Sequence, residues 1–201
     1  MKTPEDLSKF KAVIFDLDGT LVDTEEANFQ AYKKACEQNG FSLDEKLFRS
    51  AFEQGHGWKN FILQSTKLAE DDPKIKKILD EKKKLYPDAL KKYAVLNAEL
   101  YALAKKLKAS GKKLCLATTA AKENAESVLL LFGLNSLFDV VIDASQVKNR
   151  KPDPEIYLLA LEKLGVNASE AIVFEDSPSG KQAAEGAALN VVTVNFIEKR
   201  I

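Results

Sequence analysis

One histidine, His56, serves a chain of 201 residues. A serine or cysteine nucleophile that relied on a histidine base would have to recruit it, and a zinc site of the common His/Cys kinds would lack ligands. Cysteine is nearly as scarce. Cys36 and Cys115 have no metal-ligand spacing and read as free thiols in a reducing cytoplasm. An excess of either charge is missing too: 30 Lys and Arg stand against 30 Asp and Glu. With no global basic field, neither nucleic acid nor anionic lipid is an expected partner. No apolar run approaches the roughly 18 residues of a membrane span. The opening MKTPEDLSKF lacks the apolar stretch of a signal peptide. The expectation is a cytoplasmic protein, a monomer or weak dimer with no membrane or nucleic-acid partner, in which carboxylates and lysines carry any chemistry.

Apolar residues make up 45% of the chain, enough for a packed core. Five short runs rich in β-branched residues stand out: Ala12–Phe15, Lys113–Thr118, Phe138–Ile142, Ala171–Phe174 and Asn190–Val194. They are continuous rather than alternating, as strands buried on both faces are. Helical patterns fall between the last four. Ala121–Phe132 stops at Gly133, a helix starts at Asp153-Pro154 and ends by Gly165, and Ser177-Pro178 opens another. Asn97 is placed to cap Ala98–Ala109, with Gly111 closing it. This order predicts an α/β fold: a Rossmann-like, five-stranded parallel sheet with helices on both faces.

The alternation breaks once. Residues 22 to 95 read as wholly helical, with candidate helices at Glu25–Asn39, Asp44–Ser50, Trp58–Thr66, Pro73–Leu85 and Asp88–Tyr93. Residues 1–21 and 96–201 are therefore expected to form the α/β core, and 22–95 an inserted helical domain over the carboxyl end of the sheet, where such folds bind ligands. The eight lysines between Lys74 and Lys92 read as a solvated helix face, interleaved with Asp80, Glu81 and Asp88.

In KAVIFDLDGTLVDT, two carboxylates, Asp16 and Asp18, directly follow the first run. Strand residues two apart return to one side, so both can face one ligand. Gly19 permits a tight turn and Thr20 can tie it down. Glu175 and Asp176 close the Ala171–Phe174 run in the same way. If these two strands are neighbours, four carboxylates meet in a small volume. Their repulsion calls for a cation, and an all-oxygen donor set suits Mg²⁺. Thr118, Thr119 and Ala120 end the second run ahead of a helix, where a hydroxyl and free backbone N–H groups favour a phosphate. Lys151, in NRKPDPEIY, sits in a loop stiffened by Pro152 and Pro154. Taken singly, each feature has a plainer reading: an acidic turn, a helix cap, a surface lysine.

Together, Asp-x-Asp-Gly-Thr, then Thr118, then Lys151-Pro152, then Glu175-Asp176 resemble the four motifs of the haloacid dehalogenase superfamily. The helical insertion is similar to its C1 cap. KPDPEIYLLALEKLGV and VFEDSPSGKQAAEGA resemble the β-phosphoglucomutase-like and phosphatase branch. The resemblance implies a Mg²⁺-dependent phosphatase acting on a small phosphorylated metabolite. It makes Asp16 the nucleophile that forms an aspartyl-phosphate, and Asp18 the general acid and then base. It makes Thr118, Thr119 and Lys151 phosphate contacts. Asp16, Asp18 through its backbone carbonyl, Glu175 and Asp176 become the metal group. In the insertion, FEQGHGWKNF offers His56, Trp58 and Lys59 as substrate contacts, while Trp58 reads equally as core between two helices. Where the mutase pattern carries a histidine, this chain has Asn28, which favours a phosphatase over a phosphomutase. A catalytically silent binding protein on the same fold is the remaining alternative.

Overall fold

The structure, a computed structural model, describes residues 7–196. The elements run β1 (Ala12–Phe15), β2 (Val22–Asp23), α1 (Glu25–Gln38), α2 (Glu45–Glu53), α3 (Lys59–Thr66), α4 (Pro73–Tyr93), β3 (Val95–Leu96), α5 (Ala98–Ala109) and β4 (Lys113–Ala117). They continue with α6 (Lys122–Leu131), β5 (Val140–Ile142), α7 (Glu155–Leu164), β6 (Ala171–Glu175), α8 (Pro178–Gly186) and β7 (Asn190–Thr193). Two compact units result. The smaller is Thr24–Val95, and the larger holds the described residues on either side of it.

In the larger unit, five parallel strands lie in the order β5-β4-β1-β6-β7, as the continuous apolar runs predict. β1 is central, and every side chain from Ala12 to Phe15 is fully buried. The two-residue period divides them. Ala12 and Ile14 join Cys115, Ala117, Ala171 and Val173 in a core completed by α7 and α8. Phe15, on the opposite side, stacks on Phe174 with ring centroids 5.2 Å apart. Because the chain order reverses on either side of β1, the loops after β1, β4 and β6 emerge side by side at the carboxyl edge of the sheet.

The smaller unit has its own core, in which Phe29, Phe48 and Phe61 pack with Ile62, Ile75 and Ile78. Three expectations for this region need correction. Residues 22 to 95 are not wholly helical: Val22–Asp23 and Val95–Leu96 form a two-stranded sheet. Two-residue strands give no periodicity to read. Pro73–Leu85 and Asp88–Tyr93 are one helix with Pro87 inside it. Its buried stripe, Ile75, Ile78, Lys82, Tyr86 and Leu90, runs straight through the proline. Burial on both sides outweighs the cost of about 3 kcal/mol for an interior proline. Nor are all eight lysines solvated. Lys82 is buried, its Nζ 3.7 Å from the Tyr86 ring centroid and 4.9 Å from that of Tyr32. Two aromatic faces take the place of water around that ammonium.

Candidate active site

The site begins where β1 ends. The Asp16 N–H still donates to the Phe174 carbonyl, so the sheet ladder fixes the backbone at the first carboxylate. The chain then turns sharply. Gly19 N–H donates to Val22 O at 2.8 Å, and Val22 N–H donates to Leu17 O at 3.0 Å. Gly19 takes φ +86°, and a Cβ there would lie 2.2 Å from Asp176 Oδ2. Glycine thus serves both the left-handed turn and the close approach of the carboxylate opposite. Thr20 does more than steady its own turn: its hydroxyl donates to Asp176 Oδ1 at 2.7 Å. Asn97, which caps α5, binds the far side of the turn through the Thr20 and Leu21 carbonyls.

Lys151, buried, joins the loop after β5 to this centre. Its Nζ donates to Asp16 Oδ1 at 2.6 Å, to Glu175 Oε2 at 2.7 Å and to the Ala117 carbonyl at 3.2 Å. Glu175, the last residue of β6, is fully enclosed. Its Oε2 also accepts from the Tyr157 hydroxyl at 2.6 Å, and its Oε1 accepts from the Ser177 N–H and hydroxyl. Ser177 in turn caps α8 by accepting from the Gly180 N–H. A Cβ on Gly180 would fall 2.0 Å from Glu175 Cδ, so the carboxylate occupies the space the glycine leaves.

Asp16, Glu175 and Asp176 each offer an oxygen within 4.8 Å of the others. Asp18 is not in that group: its side chain accepts from the Thr118 hydroxyl at 3.3 Å. Thr118 Oγ1 itself accepts from the Ala120 N–H at 3.0 Å, which shapes the loop after β4. Thr119 is half-buried, and its carbonyl accepts from the Arg150 guanidinium.

Of the three converging carboxylates, Asp16 and Glu175 pair with Lys151 and Asp176 does not, and the electrostatics follow from that shortage. Burial, and then the charge of Glu175, push Asp16 well above the usual carboxylate range, although Lys151 pulls the other way. Asp176 rises to about 7 for the same two reasons, against the hydrogen bond from Thr20. Burial also works to raise Glu175, but Lys151, Tyr157 and Ser177 outweigh it and hold the group below its ordinary value. Lys151, though buried, is raised by Asp16 and Glu175. A divalent cation fits this arrangement: the donors are all oxygens, they converge, and their repulsion is incompletely neutralised.

In the smaller unit, His56 is exposed and Lys59 pairs with Glu70. Trp58 packs against the core of that unit. Tyr157, Ser177 and Arg150 are not singled out by the sequence as parts of this centre, and Thr20 only as the residue that ties its own turn. Ser177 and Tyr157 do lie inside the motif-bearing stretches. Ser177 reads there as a helix cap, and its bond to Glu175 two residues back is local, whereas the partner of the Tyr157 hydroxyl is set by tertiary packing and leaves no local pattern.

A parallel sheet that gathers acids, a lysine and a threonine at its carboxyl edge defines a class of α/β enzymes. The chain belongs to the haloacid dehalogenase-like hydrolases, whose family model matches residues 13–194. It is 37% identical over 183 residues to the phosphorylated carbohydrates phosphatase of Thermotoga maritima, covering 89% of this chain and 82% of that protein. It is 28% identical to the fructose-1-phosphate phosphatase YqaB of Escherichia coli, covering 94% and 98% of the two chains. A solved structure of a CbbY mutant from Rhodobacter sphaeroides, in complex with xylulose-(1,5)bisphosphate, superposes with a TM-score of 0.82 at 28% identity, covering 95% of this chain and 88% of that one.

Proposed function

We propose that this chain is a cytoplasmic, Mg²⁺-dependent phosphatase that hydrolyses a small phosphorylated metabolite, a sugar phosphate or similar phosphomonoester, through an aspartyl-phosphate on Asp16. The observation that carries this reading is the convergence of Asp16, Lys151, Glu175 and Asp176 at one sheet edge, with Asp18 on Thr118 beside Asp16 in sequence. The names of the relatives point to the same substrate class.

The roles divide by chemistry. Asp16 attacks phosphorus, forming an Oδ–P bond as the bond to the leaving alcohol breaks. Asp18 gives its proton to the departing alkoxide, then takes one from the water that cleaves the Oδ–P bond. Lys151, with the Thr118 hydroxyl and the backbone at Thr119, holds the phosphoryl oxygens. The ion would be held by Asp16, Asp176 and the Asp18 backbone carbonyl, with Glu175 nearby or through water, and when bound it supplies the positive charge that keeps Asp16 ionised against its neighbours. The Thr24–Val95 unit is read as a specificity cap, with His56, Trp58 and Lys59 as its substrate contacts. Asn28 supports a phosphatase over a phosphomutase. Its amide donates to the Thr24 carbonyl and the Tyr86 hydroxyl, and an amide cannot serve as an acid or base.

A panel of phosphorylated metabolites, scored by phosphate release with Mg²⁺ and after exhaustive chelation, tests this. Turnover should appear for sugar phosphates and vanish on chelation. Full activity without a divalent cation sinks the metal reading, and no turnover on any compound sinks the phosphatase reading. On the same panel, Trp58→Ala should reorder the larger substrates while sparing acetyl phosphate. A uniform fall with a lower melting temperature would leave Trp58 as core alone.

A further inference from the structure

We propose that Tyr157 is a positioning residue for phosphate binding, acting on Lys151 through Glu175; this rests on the functional reading above. Tyr157 lies in α7, fully enclosed in the core formed with β1, β4 and β6. Core packing alone asks for the ring and not for a hydroxyl, which is costly to bury unless it is bonded. Here the hydroxyl donates at 2.6 Å to Glu175 Oε2, the same oxygen that accepts from Lys151 at 2.7 Å. The face of the ring is engaged as well, with Lys151 Nζ 4.8 Å from its centroid. One side chain therefore touches both members of the buried ion pair.

The donor count gives the contact its function. A carboxylate has about four lone-pair sites. Glu175 fills them with Lys151 and Tyr157 on one oxygen and the two Ser177 donors on the other. An ammonium has three hydrogens, and Lys151 has three acceptors: Asp16, Glu175 and the Ala117 carbonyl. An incoming phosphoryl group can be held by Lys151 only if one of these acceptors yields its share. The Tyr157 hydroxyl draws on the charge of Glu175 Oε2 and so loosens its hold on the ammonium. Without it, Glu175 binds Lys151 more strongly, and phosphate competes less well.

Tyr157→Phe keeps the ring and removes the oxygen. The inorganic phosphate Kd, measured by calorimetry with Mg²⁺ present, and the KM for a hydrolysed sugar phosphate should both rise about tenfold, as for other residues that orient a site from behind it. The fall in kcat should be much smaller. A purely structural role predicts the reverse: a lower melting temperature and a smaller active fraction, with Kd and KM unmoved. A folded Tyr157→Phe variant with wild-type phosphate Kd and KM overturns the proposal while the phosphatase reading stands. A wild-type chain that neither hydrolyses phosphomonoesters nor binds phosphate overturns both.

Discussion

Asp18 and Asp16 are two residues apart, yet they meet different partners. Asp16 faces an ammonium and two carboxylates, whereas Asp18 meets the Thr118 hydroxyl. A nucleophile has to be ionised and an acid has to carry a proton, so separate surroundings suit separate roles. Asp18→Asn removes the transferable proton and leaves the backbone carbonyl in place. Metal binding should survive, and turnover should fall most for substrates with poor leaving groups. An aryl phosphate, whose phenolate departs without protonation, should lose far less than an alkyl phosphate, where general-acid catalysis contributes roughly 10²–10⁴-fold. Steady-state kinetics on a leaving-group series checks this, and an equal loss across the series would remove Asp18 from the acid role. The acids, the lysine and Thr118 could be singled out in the sequence because each directly follows or flanks an apolar run. Tyr157 could not: in EIYLLALEKL it reads as one more apolar position on a helix, and its partner Glu175 lies 18 residues away.

At the scale of elements, what the sequence shows best is what repeats. β1 matches its expected bounds residue for residue, and the other four sheet strands fall within one or two residues of theirs, because a continuous buried run has few alternatives. The sequence pattern splits α4 at Pro87 because a local rule about proline carries no knowledge of the buried stripe on either side. α8 holds the converse lesson. Gly180 sits in its first turn, where glycine is ordinarily a weak choice and alanine would add roughly 0.5–1 kcal/mol of stability. Here the Cβ would fall 2.0 Å from Glu175 Cδ, inside the carboxylate that Lys151, Tyr157 and Ser177 hold in place. Gly180→Ala should therefore reverse the usual sign. Either α8 or Glu175 must shift, at a cost on the order of 1–3 kcal/mol, and turnover should fall with it. Urea unfolding and kinetics on the variant check this, and a stabilised, fully active Gly180→Ala would show that Glu175 is not tightly held.

The whole molecule is neutral on paper, with 30 basic residues against 30 acidic ones, but that balance is not kept locally. Asp16, Glu175 and Asp176 converge, and Lys151 pairs with the first two of them. Local excess of this kind makes the stability of the ion-free chain depend on pH. In the unfolded chain Asp176 titrates near its ordinary value, whereas in the folded chain burial and Glu175 raise it to about 7. Between these limits the folded state keeps a proton that the unfolded state releases. The Asp176 contribution to stability must then fall as pH rises from about 4 to about 7. The sign is opposite to that of a carboxylate held low by a salt bridge. For a partly exposed group, solvent screening reduces the loss to on the order of 2 kcal/mol. A bound divalent cation favours the ionised form and offsets the loss, so Mg²⁺ should raise the melting temperature more at about pH 8 than at about pH 5. Asp176→Asn supplies the control, because it carries neither the proton nor the charge. Melting curves of both proteins across this range, with chelator and with Mg²⁺, give the Asp176 contribution by difference. If the difference does not change with pH, or if Mg²⁺ protects equally at both ends, the acidic centre is not the strained, cation-seeking group described above.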